Sequence, residues 1–477
     1  MKSKLIYILF SILVMLNISC EKYLDIVPKG ETIISTADDF YTMVSYPNRA
    51  YPINNFQYIS DDQYLKESNV IGLPLSNINI INFTFNENIS RVNLSTSNTL
   101  YNRTYEYIFR WNTIISLVDD SEGSSEVKQL AKAEARVLRA FDHFLLLNTF
   151  AKHYDPATAN TQGGICIMDK YDLEAKPVKA TMAQVYAFIE KDLDESIPFL
   201  QANPANPYHP SLAYAYALKA KVHLFKKEFD KAKSAAKASL AIKSDIYDLV
   251  EYTTAGGPAK VNVPVTSNPE VLSLAYMTGY NELNFGYSYI ISPELRIAFG
   301  TNDARFNLFF TTTNASFLDL AAGAAYWNIK FTAFFYSTVG LKTTEVQLML
   351  AECEARSGNL VEAIRLINEI RLKRITDVAE ATLIVPATIK ETMDLLIMER
   401  RKELLFGFNR FWDLRRFNTE PEYAKTITRV FPLINTTIPK VTYTLKPNSN
   451  LYVVPFAQDV LKLNPGLTLN TDEALPW

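Results

Sequence analysis

Two stretches of this chain, 211–242 and 343–375, read as copies of one unit. A shift of 131 residues places Ala220 on Ala351, Phe229 on Leu360 and Ala232 on Ala363. Each copy predicts a helix, a tight turn (Lys226-Lys227-Glu228 or Ser357-Gly358-Asn359) and a second helix. In each copy the paired alanines lie twelve residues apart, one on each helix. Small side chains there let two antiparallel helices approach closely, because the interaxial distance follows the residues at the contact. The apolar residue between them, Phe229 or Leu360, plugs the joint.

The unit resembles the tetratricopeptide repeat. Lys227 stands where a turn glycine is usual, and Tyr216 and Gln347 take the place of a large aromatic early in the first helix. The rest of the chain supports a helical frame. Residues 97–118 carry Leu100, Tyr101, Tyr105, Ile108, Trp111, Ile115 and Leu117 at spacings of three and four. Residues 125–153 carry a wide apolar stripe from Leu130 to Leu146, suited to a mostly buried helix. Thr181 with Gln184 has capping-box spacing and opens a helix that runs to about Leu200, which Pro198 ends or bends. Helices 125–153 and 181–200 make a further degenerate unit, and a helix over 386–407 closes the stack.

These patterns predict an all-α fold: a tetratricopeptide-like helical-hairpin scaffold with long irregular loop insertions and minor β. The scaffold covers about 97–243 and 341–417. The insertions, about 50–96 and 244–340, are rich in Gly, Pro, Asn, Thr and aromatics, with strand-like runs at Val261–Val265 and Val271–Tyr276. Binding contacts concentrate on such loops.

The amino terminus predicts an export signal. Lys2 and Lys4 precede an apolar stretch, Leu5–Leu16, and the small polar residues Asn17 and Ser19 lead to Cys20. A membrane-spanning helix needs about 20 apolar residues, so the segment is expected to be cleaved. Cys20 then becomes the first residue of the mature chain and the point of lipid attachment. Residues 1–19 are thus read as a lipoprotein signal peptide and 20–477 as one domain.

The formal net charge is −3 and no polybasic run stands out, so nucleic acid is not an expected partner. There is no phosphate-binding glycine loop, HExxH, GxSxG or EF-hand spacing, and no cofactor, metal or catalytic residue is expected. His143, His153, His209 and His223 are scattered, and they are read as core or interhelix residues rather than ligands. Cys166 and Cys353 are read as buried free thiols. The dense charged block Glu399-Arg400-Arg401-Lys402-Glu403, with Arg410 to Arg416, is read as structural: Arg–carboxylate pairs around Trp412.

Several segments, in order over nearly the whole length, resemble the SusD/RagB family of outer-membrane nutrient-binding lipoproteins. They are Cys20 to Pro28, Trp111-Asn112, Ala135 to Phe141 with Phe144, and Tyr186 with Asp192-Leu193. They continue with Ala351 to Gly358, Ala363, Asn368 to Arg371, Glu399 to Arg415, and Pro455 with Asn464-Pro465. The chain departs from that pattern at Lys342 to Val346 and at Phe406-Gly407. The resemblance implies a protein without chemistry of its own. It would be lipid-anchored in the outer membrane and exposed at the cell surface. It would bind oligosaccharide and act with a SusC-like TonB-dependent transporter.

A sugar site needs flat aromatics to stack on pyranose rings and Asn, Asp or Arg to take hydroxyls. Tyr326-Trp327-Asn328 is the first candidate, since Trp327 is the only tryptophan in either insertion. Tyr280-Asn281-Glu282 is the second, and Asp61-Asp62 with Tyr64 the third. Two other classes stay open on the residues alone: a lipid-anchored helical-repeat scaffold for peptides or proteins, and a secreted hydrolase.

Overall fold

The computed structural model describes residues 34–475 apart from 48, 54, 66, 177, 258–259, 261–264, 279–289, 312–324, 328–338 and 433–435. Its frame is helical. The longer helices, in chain order, are α1 (Ala37–Val44), α2 (Thr99–Leu117), α3 (Ser125–Phe150), α4 (Met182–Ser196), α5 (Leu212–Phe225), α6 (Phe229–Ile242), α7 (Thr343–Arg356), α8 (Leu360–Leu372), α9 (Ile389–Glu403) and α10 (Asn409–Phe417).

Side chains set the starts. Ser124, Ser211, Thr181 and Thr388 each accept a backbone N–H of the first turn, and Thr181–Gln184 and Thr388–Glu391 complete reciprocal capping boxes. Each cap satisfies donors that have no partner inside the helix. Pro198 lies in a 3-10 turn, Ile197–Phe199, that closes α4 as expected.

Helices α2–α3, α3–α4, α5–α6 and α7–α8 pack as neighbours, α6 of the first copy packs on α7 of the second, and α9 lies against α7 and α8. Close approach follows from the predicted alanines: Ala220, Ala232, Ala351 and Ala363 are all buried. Ser239 adds a hydroxyl bond of 2.8 Å to the Ala213 carbonyl across α5–α6. Phe229 and Leu360 are half-buried at the joints, and the Phe229 ring lies 4.5 Å under the Arg356 guanidinium.

One apolar cluster runs from Phe40 to Leu467 through both repeats and both insertions. Its centre is α3. Phe144 meets Trp412 at 5.5 Å and Phe225 at 5.0 Å, both edge to face. Such pairs add about 0.5–1.5 kcal/mol beyond area burial. A second small cluster, including Tyr58, Phe83 and Phe431, fills the first insertion.

Two expectations need correction. The predicted helix 386–407 stops at Glu403, because Phe406 and Gly407 both take left-handed backbone (φ 69° and 68°) before α10 begins. A Cβ on Gly407 would stand 2.7 Å from Met277 Sδ. The run 271–276 is not a strand: Val271 makes an isolated bridge to Lys342, and the strand is Tyr276–Thr278. Val261–Pro264 lies outside the described residues, and Val265–Ser267 is a 3-10 turn. Among their described residues the insertions also hold short helices at Glu67–Gly72, Ile78–Thr84, Pro293–Phe299 and Ala304–Phe309.

Candidate functional site

The two insertions meet in a four-stranded antiparallel sheet. Its strands are β1 (Gln63–Tyr64), β2 (Ile290–Ile291), β3 (Phe310–Thr311) and β4 (Ala325–Trp327), in the spatial order β1-β2-β4-β3. The register sets Tyr64, Ile290, Tyr326 and Thr311 in one cross-strand row, and Trp327 opposite Phe310 in the next. Adjacent strands stand about 4.8 Å apart, so the Tyr64 and Tyr326 backbones are two strand spacings from each other. More than half the chain length separates these two residues in sequence, and each insertion supplies part of the row. A second pairing reinforces the first: Ala50–Pro52, in the first insertion, runs parallel to Tyr276–Thr278 in the second, with Ala50 opposite Tyr276.

Buried ion pairs hold this sheet on the scaffold. Asp61 accepts both Nε and Nη2 of Arg410 at 2.7 Å. Asp62 accepts Nε of Arg401 at 2.8 Å, and Arg401 also donates to Glu294 at 2.7 Å. The Asp62 carbonyl accepts the Ser292 N–H at 2.9 Å, one residue beyond β2. Arg429 works as a peg. It is buried, it donates to the carbonyls of Tyr58, Ser60, Gln63 and Phe83, and its guanidinium lies 4.3 Å from the Phe83 ring and 4.5 Å from the Phe85 ring. Burial pushes the Arg429 guanidinium down to about 10.

This network changes the standing of two predicted ligand residues. Asp61 and Asp62 are buried and committed to arginines. Burial alone would raise Asp61, but Arg410 and Arg401 hold its carboxyl well below the usual range. Burial raises Asp62, and the neighbouring Asp61 charge adds to it. Both carboxylates anchor the insertion from buried positions. Tyr64 stays at the sheet. It is half-buried, its hydroxyl donates to the Val430 carbonyl at 2.6 Å, and its ring meets Phe83 edge to face at 5.4 Å. Tyr326 and Trp327 have the backbone places given above. Asn328, Tyr280, Asn281 and Cys20 lie outside the described residues.

The dense charged block is structural, as read from the sequence. Glu399 through Glu403 are all buried. Arg400 bonds Asp413 at 2.8 Å, Arg416 bonds Asp413 and Glu352, and Glu403 joins Arg374 to Arg305. Trp412 is buried against Phe408, with their rings stacked at 5.0 Å. Cys166 and Cys353 are free and buried, and burial pushes their thiols up to about 11 and about 12. His143 satisfies both ring nitrogens in the core, against the Arg139 carbonyl and the Met168 N–H.

A cleft of about 190 Å³ lies where the first insertion meets the C-terminal segment, lined by Asn82, Arg91, Ser95, Ser97, Asn98 and Pro455 among others. Sequence reading does not single it out. The run Ser95-Thr96-Ser97-Asn98-Thr99, rich in hydroxyl and amide groups, is the available signal.

A family model described as "Starch-binding associating with outer membrane" matches residues 22–224, and the SusD family model matches residues 337–472. No curated protein matches the chain. Solved structures share the fold. A SusD superfamily protein from Bacteroides thetaiotaomicron is 20% identical with a TM-score of 0.70, covering 91% of this chain and 99% of its own. A putative sugar binding protein from Bacteroides vulgatus is 19% identical with a TM-score of 0.68, covering 93% and 100%. Surface glycan-binding protein A from Bacteroides uniformis is 16% identical with a TM-score of 0.65, covering 91% and 98%. Among the described residues, no helix is long and apolar enough to cross a membrane.

Proposed function

Because this chain belongs to the SusD/RagB family, we propose that it is a glycan-binding protein of the cell surface. It captures oligosaccharide and passes it, unaltered, to a TonB-dependent transporter of the outer membrane. Residues 1–19 direct export and are removed, and acyl chains on Cys20 hold the remaining domain to the membrane.

The observation that carries this reading is the sheet formed between the insertions. It brings Tyr64, Tyr326 and Trp327 within a few strand spacings, on a support made rigid by Arg401, Arg410 and Arg429. Aromatic side chains offer broad apolar faces at low entropic cost, and a fixed support means that little ordering is left to be done on binding. Asn328, Tyr280 and Asn281, outside the described residues, stay in the proposal as candidate partners for sugar hydroxyls on the sequence reading alone. Binding without chemistry fits the carboxylates at the sheet's base. Asp61, Asp62 and Glu294 each meet an arginine or lysine and serve as anchors.

The test is titration of purified oligosaccharides into the mature chain, with the sugar recovered and sized afterwards. Saturable binding with full-length recovery supports the reading. Shortened sugar would point to a hydrolase.

A further inference from the structure

The repeat scaffold carries a cluster of metal-ligating side chains far from the sheet-forming residues of the insertions in sequence. Glu190 of α4, His223 in the last turn of α5 and Glu228 in the α5–α6 turn converge. Their donor atoms, one from each, all lie within 4.8 Å of one another. His223 is buried and the two glutamates are half-buried. It is the only such group among the described residues.

The backbone builds the pair His223–Glu228. At the end of α5 the Glu228 N–H donates to the His223 carbonyl at 2.9 Å, and the Lys227 N–H donates to the Leu224 carbonyl at 3.1 Å. Lys227 takes left-handed backbone to allow this (φ 61°). The chain therefore folds back, and Glu228 Oε2 sits 2.7 Å from His223 Nδ1 although five residues separate them. Glu190 closes the third side from a different helix. A groove of about 590 Å³, lined by Glu190, His223, Asp194, Tyr216, Asp230 and others, adjoins the cluster and gives an ion a route in.

The cluster already handles a cation. The Lys226 ammonium bonds Glu190 Oε1 and lies 3.2 Å from Glu228 Oε1. That ammonium sits on a flexible four-carbon stem and can leave the carboxylates without moving the backbone. We propose that Glu190, His223 and Glu228 form a zinc-type divalent-cation site in which the ion replaces the Lys226 ammonium. One imidazole nitrogen and two carboxylate oxygens, with water in the fourth position, make a tetrahedral set of donor types that zinc accepts. The imidazole favours zinc over the oxygen-seeking magnesium and calcium. A bound ion would tie α4 to the α5–α6 hairpin, so its role would be to brace the scaffold. The inference stands apart from glycan binding.

Zinc chloride titrated into the purified, tag-free mature chain against a chromophoric chelator tests it. The expected result is one saturable ion per chain and a rise in the unfolding temperature. His223→Ala should weaken binding by about tenfold or more, since losing even a residue that only supports a ligand costs about 10–100-fold, and should abolish the thermal rise. Glu190→Gln, at a less buried position, should also weaken binding and guards against a fold defect in the histidine variant. Lys226→Ala should tighten binding, since the ammonium that bridges Glu190 and Glu228 is gone and only the exposed Lys231, 3.4 Å from Glu228 Oε2, is left to be displaced. Absence of saturable binding to the wild-type chain overturns the proposal. So does wild-type affinity in both His223→Ala and Glu190→Gln, or no tightening in Lys226→Ala.

Discussion

Lys227 and Gly358, 131 residues apart, occupy the same left-handed backbone position at the end of the first helix of their respective units (φ 61° and 81°). Around each, the same two hydrogen bonds close the helix: Lys227 N–H to Leu224 and Glu228 N–H to His223, Gly358 N–H to Ala355 and Asn359 N–H to Glu354. This is the Schellman arrangement, which glycine adopts without a Cβ penalty. The two units are thus one backbone design written with different residues. Lys227→Gly should stabilise the protein by about 0.5–1 kcal/mol, and Gly358→Lys should destabilise it by about 1 kcal/mol or more. Urea unfolding of the two variants reads both signs.

The attachment of the first insertion rests on Arg401. Its guanidinium lies 2.6 Å from Asp62 and 2.7 Å from Glu294. Arg401→Ala would leave Asp62 buried without its main counter-charge, which costs about 3–5 kcal/mol. Limited proteolysis should then find new cuts within 50–96 before α3 and α5 are attacked. A loss under about 1 kcal/mol with an unchanged cleavage pattern would contradict the anchoring role.

Stability should depend on pH in two limbs of opposite sign. Asp142, fully buried, accepts the Tyr51 hydroxyl at 2.5 Å and the Trp111 indole N–H at 2.7 Å. Burial nevertheless pushes its carboxyl up to about 7, against about 3.9 in an unfolded chain. Between these values the folded state keeps a proton that the unfolded state has lost. This contribution therefore falls as pH rises from about 4 to about 7 and is level above. Asp142→Asn, whose amide can donate to Tyr51 while its oxygen accepts Trp111, should remove that slope. Glu352 and Glu403 behave oppositely. Burial would raise them, but Arg416 and Arg374, with others, hold each to about 2. Their contribution is present above about 4.5 and is lost as pH falls towards 2. Unfolding free energies measured from about pH 3 to about pH 8 in wild type and Asp142→Asn separate the two limbs.

Anchoring through Cys20 predicts a clean change of compartment. Cys20→Ser should release the exported chain from the membrane fraction, since the tether is the acyl group. Mass spectrometry of the wild-type amino terminus should find acylated Cys20. Wild-type distribution in the variant would contradict the tether.

The helical frame was legible in the sequence because its signals are local. Ala220 with Ala232, the Thr181–Gln184 cap and the stripe on α3 each need only neighbouring residues. The helix end at Glu403 was not legible, because it depends on left-handed backbone at Phe406, a residue type that rarely takes it. The site was less legible still. Asp61 and Asp62 look like solvent-facing acids, yet their partners Arg410 and Arg401 lie 349 and 339 residues away along the chain. Nothing local announces that pairing. Tyr64 and Tyr326 share a row only because two insertions from different parts of the chain form one sheet, and cross-strand register of that kind is not written in either segment alone.

Isothermal titration with a panel of purified oligosaccharides, run on the mature wild-type chain and on Trp327→Ala, tests the central claim most directly. The account predicts saturable binding to at least one glycan by wild type. It also predicts a loss of about tenfold or more in the variant, as when a base stacked on an aromatic loses that platform, with the unfolding temperature unchanged. No binding to any glycan, or equal affinity in the two chains, would contradict it.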